Sequence, residues 1–153
     1  MAEVKGRIGA VLDDFGDHVE FRNTWGDAVY ASVDEPTVAA RLALAMQDRL
    51  ADMPPEWTPP GGIAGMRIGV HYGPVWVGTD RITGNRIWYG GDVNRTARIE
   101  PVTPVGSVYC TETFAAALKI ANCTECKFRS VGVQALVKSF GEVELDELEM
   151  PRN

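Results

Sequence analysis

The run from Tyr89 to Arg98, YGGDVNRTAR, contains two side chains whose types and spacing could act on a phosphorylated ligand. Asn94 and Arg98 are four residues apart, so on a helix both side chains leave the same face. An amide can hydrogen-bond a sugar oxygen, and a guanidinium can bind phosphate through two parallel hydrogen bonds. The same spacing is common on solvent-exposed helices of mixed polarity, so both interpretations stay open on the pair alone.

Positive charge is concentrated around this run, although the whole chain carries a net charge of −6. Between residues 81 and 98 there is one acid, Asp92, against four arginines, which are Arg81, Arg86, Arg95 and Arg98. An acidic total argues against general binding to nucleic acid or to anionic lipid. We therefore predict neither nucleic acid nor a membrane as a partner. The local excess of arginine is either a candidate site for a small anion or a solvated face whose arginines have their partners elsewhere, and charge alone leaves both open.

A candidate metal ligand, Asp27, follows Gly26 between two β-rich runs at 19–25 and 28–33. A Gly-Asp pair between two such runs predicts a tight hairpin. The carboxylate could serve only the turn, where Asp is common, or it could provide an oxygen ligand for Mg²⁺. Neither interpretation is favoured by this residue alone.

Three cysteines could bind a metal or carry redox chemistry. Cys123 and Cys126 have the spacing of a zinc knuckle, with Cys110 as a third thiolate, but no fourth ligand is evident. We therefore expect packed or exposed thiols rather than a zinc site, and an odd count fits the reducing cytoplasm better than a disulfide framework. His71 is expected to be a structural residue of a hairpin.

These residues must be positioned by a single domain, residues 1–153, in which helices and strands alternate. The composition, 45% hydrophobic and 24% charged, is typical of one soluble domain. No apolar run reaches the roughly 18 residues of a membrane-spanning helix. Apolar spacing predicts helices over 4–15, 36–50, 90–100 and 114–121, and β-rich runs predict hairpins over 19–33 and 66–79 and strands over 107–110 and 127–148.

Some boundaries carry specific expectations. Asp34 is predicted to cap the second helix, with Pro36 in its first turn. Gly73-Pro74 is predicted to be the turn of the second hairpin, and residues 53–65, rich in Pro and Gly, form a loop that is either functional or mobile. The pattern predicts an α/β (α+β) sandwich with helices on a largely antiparallel sheet.

Five motifs occur in one order along almost the whole chain: WGD at 25–27, MRIGVHYGPV at 66–75, YG at 89–90, VNRTAR at 93–98 and PVGSVY at 104–109. Together they resemble the catalytic domain of the class III nucleotidyl cyclases, the adenylate/guanylate cyclase homology family. The resemblance implies a ferredoxin-like βαββαβ-type sandwich that forms a homodimer with composite active sites at the subunit interface. It also implies two Mg²⁺ or Mn²⁺ ions and a nucleoside triphosphate, whose ribose 3′-hydroxyl attacks the α-phosphate and releases pyrophosphate.

By position, the resemblance implies a role for three residues. Asp27 matches a metal-binding aspartate of the family. Asn94 matches the residue that orients the ribose, and Arg98 matches the one that stabilises charge on the phosphate in the transition state.

Substrate-binding positions depart from the family pattern. Asn23 stands where the family has a base-reading lysine, and Ile87 stands where adenylate cyclases usually have aspartate. Phe140 stands at the position of a phosphate-binding lysine, although Lys138 lies two residues away. We predict Asn23, Ile87 and Lys138 as substrate-binding positions, without a readable choice between ATP and GTP.

The sequence begins inside the first helix of the family pattern, so the preceding strand and its metal-binding aspartate are expected to be missing from it. Two hypotheses follow. The chain is a cytoplasmic cyclase domain that makes cAMP or cGMP and is weak or inactive on its own, or it is a catalytically degenerate module for dimerisation or nucleotide sensing.

Overall fold

The structure is a computed structural model that describes residues 2–54, 56, 58, 62, 64–149 and 151. Its elements are α1 (Ala2–Asp14), β1 (Val19–Trp25), β2 (Ala28–Val33), α2 (Pro36–Ala51), β3 (Ile68–Val70), β4 (Trp76–Thr79), β5 (Arg86–Tyr89), α3 (Gly91–Ile99), β6 (Val108–Thr111), α4 (Glu112–Ile120), β7 (Lys127–Ala135) and β8 (Glu142–Glu149). A 3-10 turn, Glu100–Val102, follows α3. The predicted helices are confirmed, and parts of the predicted 53–65 loop (55, 57, 59–61 and 63) lie outside the described residues.

The strands form one four-stranded sheet and two separate two-stranded ribbons. The sheet has the order β3-β6-β8-β7, with β3 parallel to β6 and the other pairs antiparallel. The β1–β2 ribbon and the β4–β5 ribbon are antiparallel hairpins. The predicted α+β class and the largely antiparallel pairing are confirmed, and the hairpin around Gly26-Asp27 forms as expected.

Helix α2 joins the two parts of the core. Its predicted apolar positions Leu42, Met46 and Leu50 are buried against α1 and beneath the β1–β2 ribbon. Its small residues Ala40 and Ala43 pack instead into a second cluster with α4, β6 and β8. This division follows from helical spacing, since positions three and four apart share a face. None of the helices in the described residues is both long and apolar enough to cross a membrane.

The predicted hairpin over 66–79 is wrong. Strand β3 pairs in parallel with β6, and β4 pairs with β5 across a turn at residues 80–85. The Asp80 carboxylate builds this turn by accepting hydrogen bonds from the backbone N–H groups of Ile82 (2.7 Å) and Thr83 (3.3 Å), which lower the pKa of Asp80. Gly73 is needed for a different reason: a Cβ there would lie 2.6 Å from the carboxyl of Asp92.

The N-cap of α2 also differs from the prediction. Glu35 occupies the cap position, and Pro36 is the first helical residue. The Asp34 carboxylate lies instead 3.0 Å from Nδ1 of His18, which follows α1. Proline fixes the start of the helix, so the helix begins correctly without a side-chain cap.

The expectation of free thiols is wrong for two of the three cysteines. Cys123 and Cys126 form a disulfide in the turn between α4 and β7. Glu125, between them, forms an ion pair with Arg41 of α2. Cys110 is free and buried, and burial, together with the nearby Asp146 carboxylate, raises its pKa to about 12. Because Cys123 and Cys126 are joined to each other, neither offers the thiolate that the zinc-knuckle spacing requires.

Reduction of the disulfide is expected to have a modest effect on stability. Because the closed loop spans only Cys123 to Cys126, Cys126→Ser should lower the free energy of unfolding by about 2 kcal/mol. Urea unfolding with and without a thiol reductant measures the change. The unreduced protein should lose this stability on reduction, and the variant should not respond. Equal urea midpoints for the protein with and without reductant would contradict a disulfide between Cys123 and Cys126.

Candidate active site

Helix α3 positions the two side chains that first indicated an anion site. The helix packs on β3, where Gly69 leaves no room for a side chain: an added Cβ would lie 2.9 Å from Cβ of Ile99. With Val93 and Ile99 buried, Asn94 is exposed and Arg98 is half-buried on the same helix. The predicted shared face of Asn94 and Arg98 is therefore available to a ligand.

Among the described residues, Arg98 contacts an aromatic ring and forms no ion pair with a carboxylate. Its guanidinium carbon lies 5.8 Å from the ring centroid of Phe140, within the range of a cation–π contact. Its Nε is buried and has no hydrogen-bond partner in the part of the chain that the structure describes. A buried, unpaired charged donor is costly unless an anion completes it, so the site is suited to phosphate.

The loop between β7 and β8 therefore lies against α3. It is closed by a hydrogen bond from the Leu136 N–H to the Gly141 carbonyl (2.8 Å), and it carries both Phe140 and the exposed Lys138. The structure thus brings the lysine-bearing loop to the predicted catalytic arginine. Sequence reasoning treated Phe140 as a departure from the family and missed its contact with Arg98.

Asp27 lies exposed at the tip of the β1–β2 ribbon. The carbonyl of Gly26 beside it accepts a hydrogen bond from Nζ of Lys5 on α1 (2.7 Å). Lys5 brings a positive charge next to the candidate metal ligand, and sequence reasoning missed it because its place in a helix does not reveal the tertiary contact. Lys5 and Asn23 also line a groove of about 330 Å³ between α1 and the ribbon.

The two predicted base-reading positions, Asn23 and Ile87, differ in their ability to form hydrogen bonds with a ligand. Asn23 is exposed, and its Oδ1 accepts a hydrogen bond from the Thr24 N–H (2.8 Å), which leaves its amide nitrogen as the free donor. Ile87 is on β5, where side chains alternate between faces. Its neighbour Trp88 stacks on Phe21 with ring centroids 4.6 Å apart, so Ile87 is on the face of β5 that does not meet β1.

The residues that the structure describes do not make a two-metal site. Across the described parts of the chain, no three His, Cys, Asp or Glu side chains are grouped so that they could hold a metal ion. Asp27 offers one carboxylate, and no hydrogen bond or ion pair among the described residues joins it to Asn94 or Arg98. One ligand position fits a hard divalent cation, and the rest of its coordination sphere must come from elsewhere.

Comparison with known protein families assigns the chain. The family described as the adenylate and guanylate cyclase catalytic domain matches residues 13–145. The chain belongs to this family. The match includes every residue that the sequence singled out as a site position, so Asp27, Asn94 and Arg98 are positions of a cyclase domain.

Solved structures support the cyclase fold. An adenylate cyclase from Trypanosoma brucei, solved in its monomeric state, superposes with a TM-score of 0.80 at 19% identity, covering 97% of this cyclase domain and 77% of that chain. The guanylate cyclase domain of RhGC from Catenaria anguillulae, in complex with GTP, gives 0.76 at 18% identity, covering 99% and 82%. The adenylyl cyclase CyaB from P. aeruginosa gives 0.79 at 16% identity, covering 99% and 81%. Comparison with curated protein sequences finds no match.

Proposed function

We propose that this cyclase domain converts ATP or GTP into a 3′,5′-cyclic nucleotide and pyrophosphate in the cytoplasm. The observation that carries the proposal is the pair on α3: Asn94 is exposed, and Arg98, one turn further along, keeps a buried Nε without a partner among the described residues. In a member of the cyclase family, this is the arrangement expected of residues that bind a ribose and a phosphate.

The reaction requires the ribose O3′ to form a bond to the α-phosphorus while the bond to the pyrophosphate oxygen breaks. The 3′-hydroxyl gives up its proton to solvent, and pyrophosphate leaves with the bonding electron pair. Asn94 would hold the ribose so that O3′ points at the phosphorus, which contributes by orientation. Arg98 would donate to the α-phosphate oxygens as negative charge builds on them.

We propose Mg²⁺ or Mn²⁺ as the cofactor, with Asp27 as a ligand. Metal bound with the triphosphate would neutralise phosphate charge. Because Asp27 supplies a single carboxylate, we expect the chain by itself to turn over slowly.

We also propose that the domain forms a homodimer through the β4–β5 ribbon and residues 72–75, which precede it. This ribbon exposes large apolar side chains on both of its faces, including Trp76, which is 64% exposed, together with Val77 and Tyr89. An isolated two-stranded ribbon is marginal in water, and a cluster of exposed aromatic side chains is typical of an interface. Trp76 lies against Gly90 at the start of α3, so a partner bound here would stand beside Asn94.

Both nucleotides are expected to be substrates. Asn23 offers a donor, which either purine can accept, and Ile87 offers no hydrogen bond. Strong rejection of the wrong base requires buried polar groups that it leaves unpaired, so kcat/KM for ATP and GTP should differ by less than about 100-fold. Turnover of each triphosphate with Mn²⁺, followed by mass spectrometry of the cyclic product, measures the ratio.

The same experiment tests the function. Cyclic nucleotide formed by purified protein supports the proposal, and a ratio far above 100 would contradict the roles given to Asn23 and Ile87. The alternative is a nucleotide-sensing or dimerisation module, which the single carboxylate favours. Calorimetry separates the two: nucleotide binding that needs no metal, with no product formed, supports the module and overturns the enzyme.

A further inference from the structure

A buried histidine joins the starts of the two helices α3 and α4. His71 follows β3, and its side chain is only 4% exposed. Its Nε2 lies 2.6 Å from Oδ1 of Asp92, in the first turn of α3, and its Nδ1 lies 2.7 Å from Oγ1 of Thr111, the N-cap of α4. The expectation that His71 belongs to a hairpin was wrong, since β3 pairs with β6.

The proton positions follow from the partners. A carboxylate oxygen accepts, so the hydrogen bond between these two side chains is donated by Nε2–H of His71 to Oδ1 of Asp92. Nδ1 can then accept from the Thr111 hydroxyl, whose oxygen also accepts from the Phe114 N–H (3.4 Å). Although the three side chains resemble a catalytic triad, Thr111 is buried and used as a helix cap, so it is not available as a nucleophile.

Asp92 is fixed from several sides. Gly73 approaches its carboxyl so closely that no larger residue fits there, and the Asp92 backbone carbonyl accepts a hydrogen bond from Oγ1 of Thr96 (2.8 Å). His71 supplies the polar contact that holds the carboxylate. Since Asp92 precedes Asn94 by two residues on the same helix, fixing Asp92 fixes the first turn from which Asn94 projects.

We propose that His71 is a positioning residue: through Asp92 it sets the start of α3, and thereby Asn94 and Arg98, against β3 and the N-terminus of α4. The catalytic part of this inference rests on the proposed cyclase function, and the structural part does not. Buried side-chain networks that are fully hydrogen-bonded hold one geometry, which a site that must align a ribose oxygen with phosphorus requires.

The first test measures the structural part by hydrogen exchange in the whole chain. In His71→Phe, the amides from Asn94 to Arg98 should exchange at least about 10-fold faster, because the start of α3 opens locally. His18→Phe is the matched control, since it breaks an exposed His–Asp pair with Asp34 and should leave α3 unchanged. If His71→Phe does not fold, Asp92→Ala removes the same contact. Unchanged exchange in α3 would overturn the proposal.

The second test measures the catalytic part. His71→Phe should lower kcat by about 10–100-fold with KM within about 2-fold. A small displacement of Asn94 and Arg98 would weaken their contacts with the transition state more than their contacts with the bound nucleotide. His71→Gln, which can still donate to Asp92, should recover most of kcat. A rise in KM alone, or no recovery with Gln, would overturn the positioning role. If the unmodified protein forms no product, the proposed function fails, and the exchange experiment still decides the structural part.

Discussion

Arg98→Ala is expected to lower kcat of the cyclase reaction by about 10²–10³-fold, the loss found when one preorganised donor to a transition state is removed. The guanidinium lies against the Phe140 ring with its Nε buried, so it is already oriented before a ligand binds. Donors that need no reorganisation act mainly on the transition state, and the effect should therefore appear in kcat more than in KM. Initial rates over a range of nucleotide concentration separate the two parameters.

Arg95→Ala provides the control for this experiment. Arg95 belongs to the same arginine cluster and the same helix but is exposed, so its removal changes the net charge equally while Arg98 and its contact with Phe140 remain. It should change kcat by less than about 2-fold, as surface charges contribute little. Equal losses in both variants would mean that the effect is one of charge on α3, and an unchanged kcat in Arg98→Ala would refute its role.

Mixing Asp27→Asn with Arg98→Ala is expected to restore activity that neither variant has. If each active site takes Asp27 from one subunit and Arg98 from the other, a mixed dimer contains one intact site and one doubly altered site. With random exchange, half of the dimers are mixed, so activity should return to about a quarter of the unmodified level. No hydrogen bond or ion pair among the described residues joins Asp27 to α3, which is consistent with this division.

The mixture needs a control that separates sharing of sites from simple dilution. Asp27→Asn mixed with a protein that carries both Asp27→Asn and Arg98→Ala can form no intact site and should stay inactive. Trp76→Ser, which removes an exposed aromatic side chain from the β4–β5 ribbon, should reduce the restored activity by weakening the dimer. Restoration in the control, or none in the test mixture, would contradict composite sites.

Much of the fold was predictable because its signals are local. The spacing of Leu42, Met46 and Leu50 predicted the buried face of α2, and Gly26-Asp27 predicted the first hairpin correctly. Gly73-Pro74 was wrongly predicted to be a hairpin turn, because glycine is found both in turns and where another residue approaches the backbone closely. Gly73 is required by the carboxyl of Asp92, nineteen residues away in the sequence, and no local pattern records that approach.

The sequence predicted the arrangement of site residues only where those residues lie on the same helix or strand. Asn94 and Arg98 share a helix, so their spacing was sufficient to place them on one face. The contacts of Arg98 with Phe140, of Lys5 with Gly26 and of His71 with Asp92 and Thr111 all join different elements. The contacts of His71 depend on the pairing of β3, which the sequence pattern assigned incorrectly, and the other two depend on how separate elements pack together. The Cys123–Cys126 disulfide was missed because the odd cysteine count was given more weight than the short spacing.

The separation of the β1–β2 ribbon from the four-stranded sheet has a consequence for how a nucleotide, bound as proposed, would affect the fold. No ladder hydrogen bond joins the two in the described residues, and the ribbon is held by α1, by α2 and by the stacking of Phe21 on Trp88. If a ligand binds Asn23 and Asp27 as proposed, it would act first on the ribbon and on α1, which packs beneath it. Its effect would then be a change in the lifetime of a local opening of these elements and not a change in the strand pairing of the sheet.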